Sequence, residues 1–186
     1  MISAILIIVG IIVVLAIALI ALYNNLIKLR NRVDNAWSQI DVQLQRRLDL
    51  IPNLVETVKG YAQHERKTLD EVTQARAAVA TAQTPGEKMA ADNVLTSILK
   101  TLFAVSESYP ELKANENFLD LQNQLSDTED KISYMRQSYN DTVMNFNNAI
   151  QTFPAVLIAG AMGFTKRESF DAASGAEQAP AVQFQS

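Results

Sequence analysis

The first 22 residues of the sequence form one apolar run. Ile2–Leu22 contains no charged side chain and is interrupted only by Ser3 and Gly10, and fifteen of its 21 residues are Ile, Leu or Val. A helix rises about 1.5 Å per residue, so this run covers about 31 Å and matches the hydrocarbon core of a bilayer. The run therefore predicts a transmembrane helix over residues 1–22, which contacts membrane lipid through residues 2–22.

A secretory signal peptide is the alternative interpretation of this run. It fits less well, because no basic residue precedes the run in this sequence and no small-residue cleavage motif ends it. Lys28, Arg30 and Arg32 follow the run within ten residues. The positive-inside rule then predicts an outside N-terminus and a cytoplasmic soluble region. The same three side chains are candidates for contact with anionic lipid head groups, although a cluster that only sets the topology has the same composition.

Apolar residues recur at steps of three or four beyond the run, which predicts amphipathic helices. The first stripe extends from Leu26 to Ile51 without Gly or Pro. We therefore expect one continuous helix of about 50 residues that leaves the bilayer. Pro52 is expected to interrupt this helix, since proline lacks the amide proton that a helix interior needs. The stripe then resumes in a second helix over 55–79.

Two further helices are predicted from the residues that mark their ends. Thr84–Glu87 has the spacing of a capping box with proline at the first helical position, and the helix that it starts ends before Pro110. Apolar residues between Phe118 and Phe153 then follow a near-heptad spacing, and Pro154 ends the helix that this spacing predicts. The fold class is therefore all-α, with the N-terminal transmembrane helix continuing into an antiparallel four-helix bundle of long helices over residues 23–170. A single long coiled coil is the alternative.

Two C-terminal segments lie outside the helical pattern. Ala155–Phe164 is apolar but too short to span a bilayer. We expect it to pack on the bundle or on a neighbouring subunit, and a shallow membrane-docking loop is the alternative. Residues 171–186 contain mostly small and polar side chains, so a disordered tail is predicted.

Several strings of the sequence resemble the LemA family of bacterial membrane proteins. The longest is Leu29–Asp41, and the others are Arg46-Arg47, Asp49–Val55, Val58–Tyr61, Tyr109–Asn115, Arg136–Asn140 and Gly163-Phe164. The resemblance covers roughly residues 23–170. It implies a single N-terminal span followed by an antiparallel helical bundle, located in the bacterial inner membrane with a loose association with membrane organisation. It implies no catalytic residue.

Composition excludes several kinds of chemistry. The chain has no cysteine and one histidine, and its 16 basic against 20 acidic residues give a net charge of -4. Thiolate chemistry is therefore impossible, and an acidic chain is a poor partner for nucleic acid. No Glu-x-x-His pair, nucleophile elbow or phosphate-binding loop is present. We expect no catalytic residue, no metal site, no cofactor and no small-molecule substrate.

The remaining hypothesis is a non-enzymatic, membrane-anchored scaffold or adaptor that forms a homo-oligomer or binds a protein partner. One alternative is a His-phosphotransfer or signalling module centred on His64, which is predicted to lie on a helix in the string His64–Thr68. Another is a carrier that holds an apolar ligand within the bundle. Four asparagines near the end of the fourth helix either bind a partner or form a polar face; they are Asn140, Asn145, Asn147 and Asn148.

Overall fold

The computed structural model describes residues 1–62 and 64–170, so the tail predicted at 171–186 lies outside the described residues. The described part of the chain contains no β-strand, which confirms the all-α prediction. Its helices are α1 (Ile2–Tyr61), α2 (Arg66–Thr81), α3 (Pro85–Ser106), α4 (Pro110–Lys113) and α5 (Glu116–Gln151), followed by a 3-10 turn at Ala155–Leu157.

The chain divides into two compact units that share the long helices α1 and α5. One, which we call the terminal unit, contains Met1–Ser38 and Gln137–Ser169. The other, which we call the bundle unit, is built around Gln39–Arg136.

The first third of α1 is the apolar run of the terminal unit. Every residue from Met1 to Ala21 is exposed, and burial begins at Leu22 and Leu26. Among the helices of the described chain, α1 alone is long and apolar enough to cross a membrane. A helix that exposes apolar side chains on all sides is typical of contact with lipid, because soluble surfaces rarely carry such a large apolar area.

The prediction that the first helix ends at Pro52 is wrong, since α1 continues to Tyr61. A proline inside a helix leaves the carbonyl four residues earlier, here that of Leu48, without its amide donor. Arg76 of α2 replaces this donor: its Nε donates a hydrogen bond of 2.9 Å to the Leu48 carbonyl oxygen. The helix therefore passes through the proline, and α2 begins only at Arg66.

In the bundle unit, α1, α2, α3 and α5 run alternately up and down, as in an antiparallel four-helix bundle. Leu, Ile and Val fill its core, among them Ile51, Leu54, Leu95, Leu99 and Leu125. Ile51 and Leu125 lie in the predicted stripes. On α3, in contrast, the buried Leu95 and Leu99 each lie one residue after a predicted position, and Val94 is exposed. The side-chain pairs that fix the directions are Asp41–Lys88 and Arg47–Asp92 between α1 and α3, and Asp92–Arg136 and Thr96–Glu129 between α3 and α5.

Local caps start two of these helices. The Glu87 amide donates to Thr84 Oγ1 at 3.2 Å, the Thr84 amide donates to Glu87 Oε2 at 3.0 Å, and Pro85 is the first helical residue. The predicted capping box is thus confirmed. Hydrogen bonds from the backbone amides of Gln83 and Thr84 hold the pKa of Glu87 below its usual range. Asn115 Oδ1 accepts from the amide of Phe118 at 3.0 Å and caps α5 in the same way.

In the terminal unit, the early part of α1 lies antiparallel to the end of α5. The rings of Trp37 and Tyr139 meet edge to face at 6.3 Å, and Trp37 is half-buried. The near-heptad spacing predicted for α5 matches its buried positions here: Tyr139, Val143, Phe146 and Ile150. The last predicted position, Phe153, lies beyond α5 and is exposed.

Residues 153–164, which we call the apolar loop, follow α5 and turn back on the terminal unit. The loop ends in a Schellman-type turn, in which the Phe164 amide donates to the Ala159 carbonyl and the Gly163 amide to the Gly160 carbonyl. Gly163 has a φ of 77°, a left-handed conformation that favours glycine. Ala155, Ala159 and Phe164 are buried, so one face of the loop packs on the protein.

Candidate functional site

The three basic residues predicted to meet lipid lie on α1 just beyond the apolar run. Six to ten residues separate them from Leu22, a distance of about 9–15 Å along the helix. Lys28 and Arg32 are exposed. The guanidinium carbon of Arg30 instead lies 5.8 Å from the centroid of the Phe164 ring, within the range of a cation–π contact. Arg30 therefore packs on its own chain, while head-group contact by Lys28 and Arg32 stays a prediction.

Phe164 is the centre of an aromatic cluster at this end of the terminal unit. Its ring meets Tyr23 of α1 at 5.8 Å and Phe146 of α5 at 6.4 Å between centroids, both edge to face. Such contacts add to the stabilisation from apolar burial. They fix the end of the apolar loop beside the first turn of α1 after the apolar run.

Asn147 holds the backbone that follows Phe164. Its Nδ2 donates to the Arg167 carbonyl oxygen at 2.8 Å, and its Oδ1 accepts from the Arg167 amide at 2.9 Å. The Arg167 side chain then pairs with Asp34 of α1 at 3.2 Å. Asn147, one of the four asparagines noted in the sequence, thus binds backbone of its own chain rather than of a partner.

A second set of polar groups is buried in the bundle unit. Arg47 Nη1 lies 2.8 Å from Asp92 Oδ1 and 2.7 Å from Glu129 Oε2, so one guanidinium joins α1, α3 and α5. Arg47 and Asp92 are 3% and 0% exposed. Thr96 accepts from Arg47 at 2.9 Å and donates to Glu129 at 3.0 Å. We call these residues, together with Arg136, the buried ion network.

Arg136 balances the charge of this network. Its Nη2 donates to Asp92 Oδ2 at 3.0 Å, and its Nη1 donates to Asn93 Oδ1 at 2.8 Å. Two guanidinium groups therefore face two carboxylates. Burial raises the pKa of Asp92 above its usual range, while the positive charges of Arg47 and Arg136 oppose that shift.

We expect the buried ion network to favour one pairing of the helices. A buried charge without its partners is strongly unfavourable, so each guanidinium excludes a helix register that would leave it alone. A cavity of about 180 Å³ opens beside Arg47, Thr96 and Glu129. This volume is below the range that suits most small-molecule sites. The described residues contain no group of three His, Cys, Asp or Glu side chains that could hold a metal ion.

The sequence contains a signal for this network that the spacing of the apolar residues alone does not show. Arg47 lies three residues after Leu44 and four before Ile51, both buried, so it occupies a core position of the stripe. Asp92 lies in the same way between Met89 and Leu95. A charge at a core position indicates a buried ion pair. Arg47 and Arg136 also belong to two of the strings that resemble the LemA family.

His64 does not lie on a helix as predicted. It is exposed in the turn between α1 and α2, because α1 continues to Tyr61 and α2 begins at Arg66. For the carrier alternative, the larger clefts of about 420 and 470 Å³ are lined by mixed polar and apolar residues of the bundle unit, including Arg66, Asp70 and Asp120. The position of His64 does not favour the signalling module, and the lining of these clefts does not favour the carrier.

The exposed apolar part of α1 and the all-α fold define a membrane-associated helical protein. Comparison with protein families matches the LemA family over residues 36–184. A protein named LemA from Metamycoplasma hominis is 29% identical over an alignment covering 70% of this chain and 60% of the relative. The chain belongs to the LemA family.

More distant relatives carry the name of a magnetosome protein. Magnetosome protein MamQ of Magnetospirillum gryphiswaldense is 23% identical, and magnetosome protein MamQ 2 of Paramagnetospirillum magneticum is 24% identical. Both alignments cover 80% of this chain and 64% of the relative. The chain thus spans between 60% and 64% of the length of these curated relatives.

Proposed function

We propose that this protein is a non-enzymatic scaffold or adaptor, anchored in the bacterial inner membrane by a single pass of α1, that takes part in membrane organisation. Its bundle lies in the cytoplasm and associates with a second copy or with another protein. The observation that carries the proposal is the unbroken course of α1, which joins an apolar, fully exposed segment to the bundle in one helix of 60 residues. Because the same helix contributes to both units, insertion of its apolar segment would anchor the bundle unit at the membrane.

Exposed apolar side chains of the bundle unit are the proposed points of association. Tyr134 on α5 and Val94 on α3 are 76% and 55% exposed. Tyrosine is enriched at protein interfaces. In this proposal, a partner covers Tyr134 and Val94.

Photo-crosslinking in native membranes tests this proposal. A photoreactive phenylalanine analogue replaces Tyr134 or Val94 in the full chain, and the matched control position is Lys67 on α2, which is 91% exposed and charged. We expect adducts at Tyr134 or Val94, with twice the mass for a homo-oligomer or a new mass for another protein. Adducts absent from both positions, or equally abundant at Lys67, contradict the scaffold.

The His64 alternative has a separate test. The His64→Ala variant should keep its adducts and its cellular function if the protein is a scaffold, because His64 is exposed in a turn outside the helices. Loss of function in a variant that still folds would favour the signalling module instead. Lipid or another apolar molecule retained by the bundle in native mass spectrometry would favour the carrier.

A further inference from the structure

The apolar loop exposes its second face. Phe153 is 80% exposed, Leu157 72% and Val156 50%. The opposite face of the loop is buried on the terminal unit, so these side chains are held outward by a folded segment. Large apolar side chains grouped on one exposed face indicate a binding surface rather than ordinary solvent contact.

The helix register places this face at the end of the apolar run. Trp37 of α1 and Tyr139 of α5 lie at the same level, because their rings are in contact. Fourteen residues back along α1 is Tyr23, and fourteen residues onward from Tyr139 is Phe153. On α1 this count corresponds to about 21 Å. On α5, which ends at Gln151, twelve of the fourteen residues are helical and cover about 18 Å. Phe153 therefore lies near the level of Tyr23, the first residue after the run, and the contact between Tyr23 and Phe164 agrees with this placement.

This end of the terminal unit also lacks negative charge. The first acidic residue of α1 is Asp34, and no acidic residue lies between Thr142 and Arg167. Asp34 is twelve residues from Leu22, or about 18 Å along the helix. Lys28 and Arg32 lie in the intervening part. A surface with exposed apolar side chains, nearby basic groups and no acidic groups suits an anionic bilayer.

We propose that the apolar loop is a second membrane contact, with Phe153, Val156 and Leu157 inserted into the interfacial layer of the bilayer that α1 spans. The inference rests on the proposed insertion of α1. With α1 alone, the terminal unit could tilt about a single helix. The second contact fixes the face of the terminal unit that meets the lipid.

Depth-dependent fluorescence quenching tests this proposal on the full chain. In a Trp37→Phe background, one tryptophan is introduced at a time and the protein is reconstituted in vesicles of phosphatidylglycerol and phosphatidylcholine, with or without bromine on the acyl chains. The test variant is Leu157→Trp. The matched control is Met144→Trp, an exposed apolar position of α5 in the same unit but nine residues before Phe153. Leu15→Trp reports on the span itself.

We expect brominated lipid to lower the emission of Leu157→Trp by about twofold and to leave that of Met144→Trp nearly unchanged, because interfacial segments lie within the acyl boundary. Quenching of Leu15→Trp without quenching of Leu157→Trp would overturn the second contact and leave the span intact. No quenching of Leu15→Trp would show that α1 itself does not insert. A blue-shifted but unquenched Leu157→Trp would assign the loop to a protein partner or a second copy, which also contradicts the proposal.

Discussion

At the scale of single residues, Asp92 compensates two positive charges of the buried ion network. It is the carboxylate between Arg47 and Arg136, and it is fully buried. Asp92→Ala leaves these guanidinium groups with only part of their compensation, so the free energy of unfolding should fall by about 3–5 kcal/mol. Urea unfolding of the full chain in detergent, followed by circular dichroism, measures the change. Asp130→Ala, which removes an exposed carboxylate, should stay within about 0.5 kcal/mol of the parent chain.

The pH dependence of stability tests the titration of the same carboxyl group. Burial raises the folded-state pKa of Asp92 above the unfolded value of about 3.9, so the folded chain takes up this proton at a higher pH than the unfolded chain. As pH falls from 7 toward 4, the parent chain should therefore gain stability relative to Asp92→Asn, which cannot take up the proton. A difference between the two that is constant or shrinks on acidification would show that the pKa is not raised.

The hydrogen bonds of Asn147 can be tested on one backbone segment, the chain beside Lys166 and Arg167. Without its two hydrogen bonds to the Arg167 backbone, the chain beside Lys166 and Arg167 should open more readily. Asn147→Ala should therefore be cut faster by trypsin after these two residues, by about 5- to 30-fold if the lost bonds contribute 1–2 kcal/mol to local stability. Asn148→Ala is the matched control, since Asn148 is exposed on the same helix turn. Equal cleavage rates in the two variants would contradict the role of Asn147.

At the scale of the helices, the continuity of α1 through Pro52 depends on Arg76. Arg76→Ala leaves the Leu48 carbonyl without its donor and should lower the free energy of unfolding by about 1–3 kcal/mol. Pro52→Ala restores an amide that can donate to the same carbonyl, so the cost of Arg76→Ala should shrink in that background. Arg66→Ala, an exposed change on the same helix, should show no such coupling. Additive effects of Arg76→Ala and Pro52→Ala would contradict this account.

These elements also show where sequence reasoning succeeds. The steps of three and four residues predicted the helical stripes, and the Thr84–Glu87 box predicted the start of α3, because both signals are local. The end of the first helix was predicted wrongly, because the donor that compensates Pro52 comes from α2. The predicted helical position of His64 failed for the same reason. The charges of the buried ion network at core positions were a local signal, but which of them meet depends on three different helices and could not be predicted from the spacing within one helix.

At the scale of the whole molecule, the orientation in the membrane follows from charges that the fold leaves exposed. Lys28 and Arg32 are exposed beyond the apolar run, whereas Arg30 packs on Phe164. The positive-inside rule therefore predicts that the soluble region lies in the cytoplasm. Alkaline phosphatase fused after Ser186 should therefore be inactive, and a green fluorescent protein at the same position should be fluorescent. Strong phosphatase activity in the unaltered chain would contradict this orientation.

The charges themselves can be tested without disturbing the aromatic cluster. A variant that combines Lys28→Gln and Arg32→Gln with two lysines inserted after Met1 reverses the charge bias across the run while Arg30 stays on Phe164. Its phosphatase activity should rise several-fold, because the larger basic cluster now precedes the span. The control combines Arg66→Gln and Lys67→Gln, which remove the same charge from exposed positions far along the chain. Since topology depends on charges within about 15–20 residues of a span, this control should leave the phosphatase inactive. A control that behaves like the first variant would contradict the dependence of the orientation on the charges beside α1.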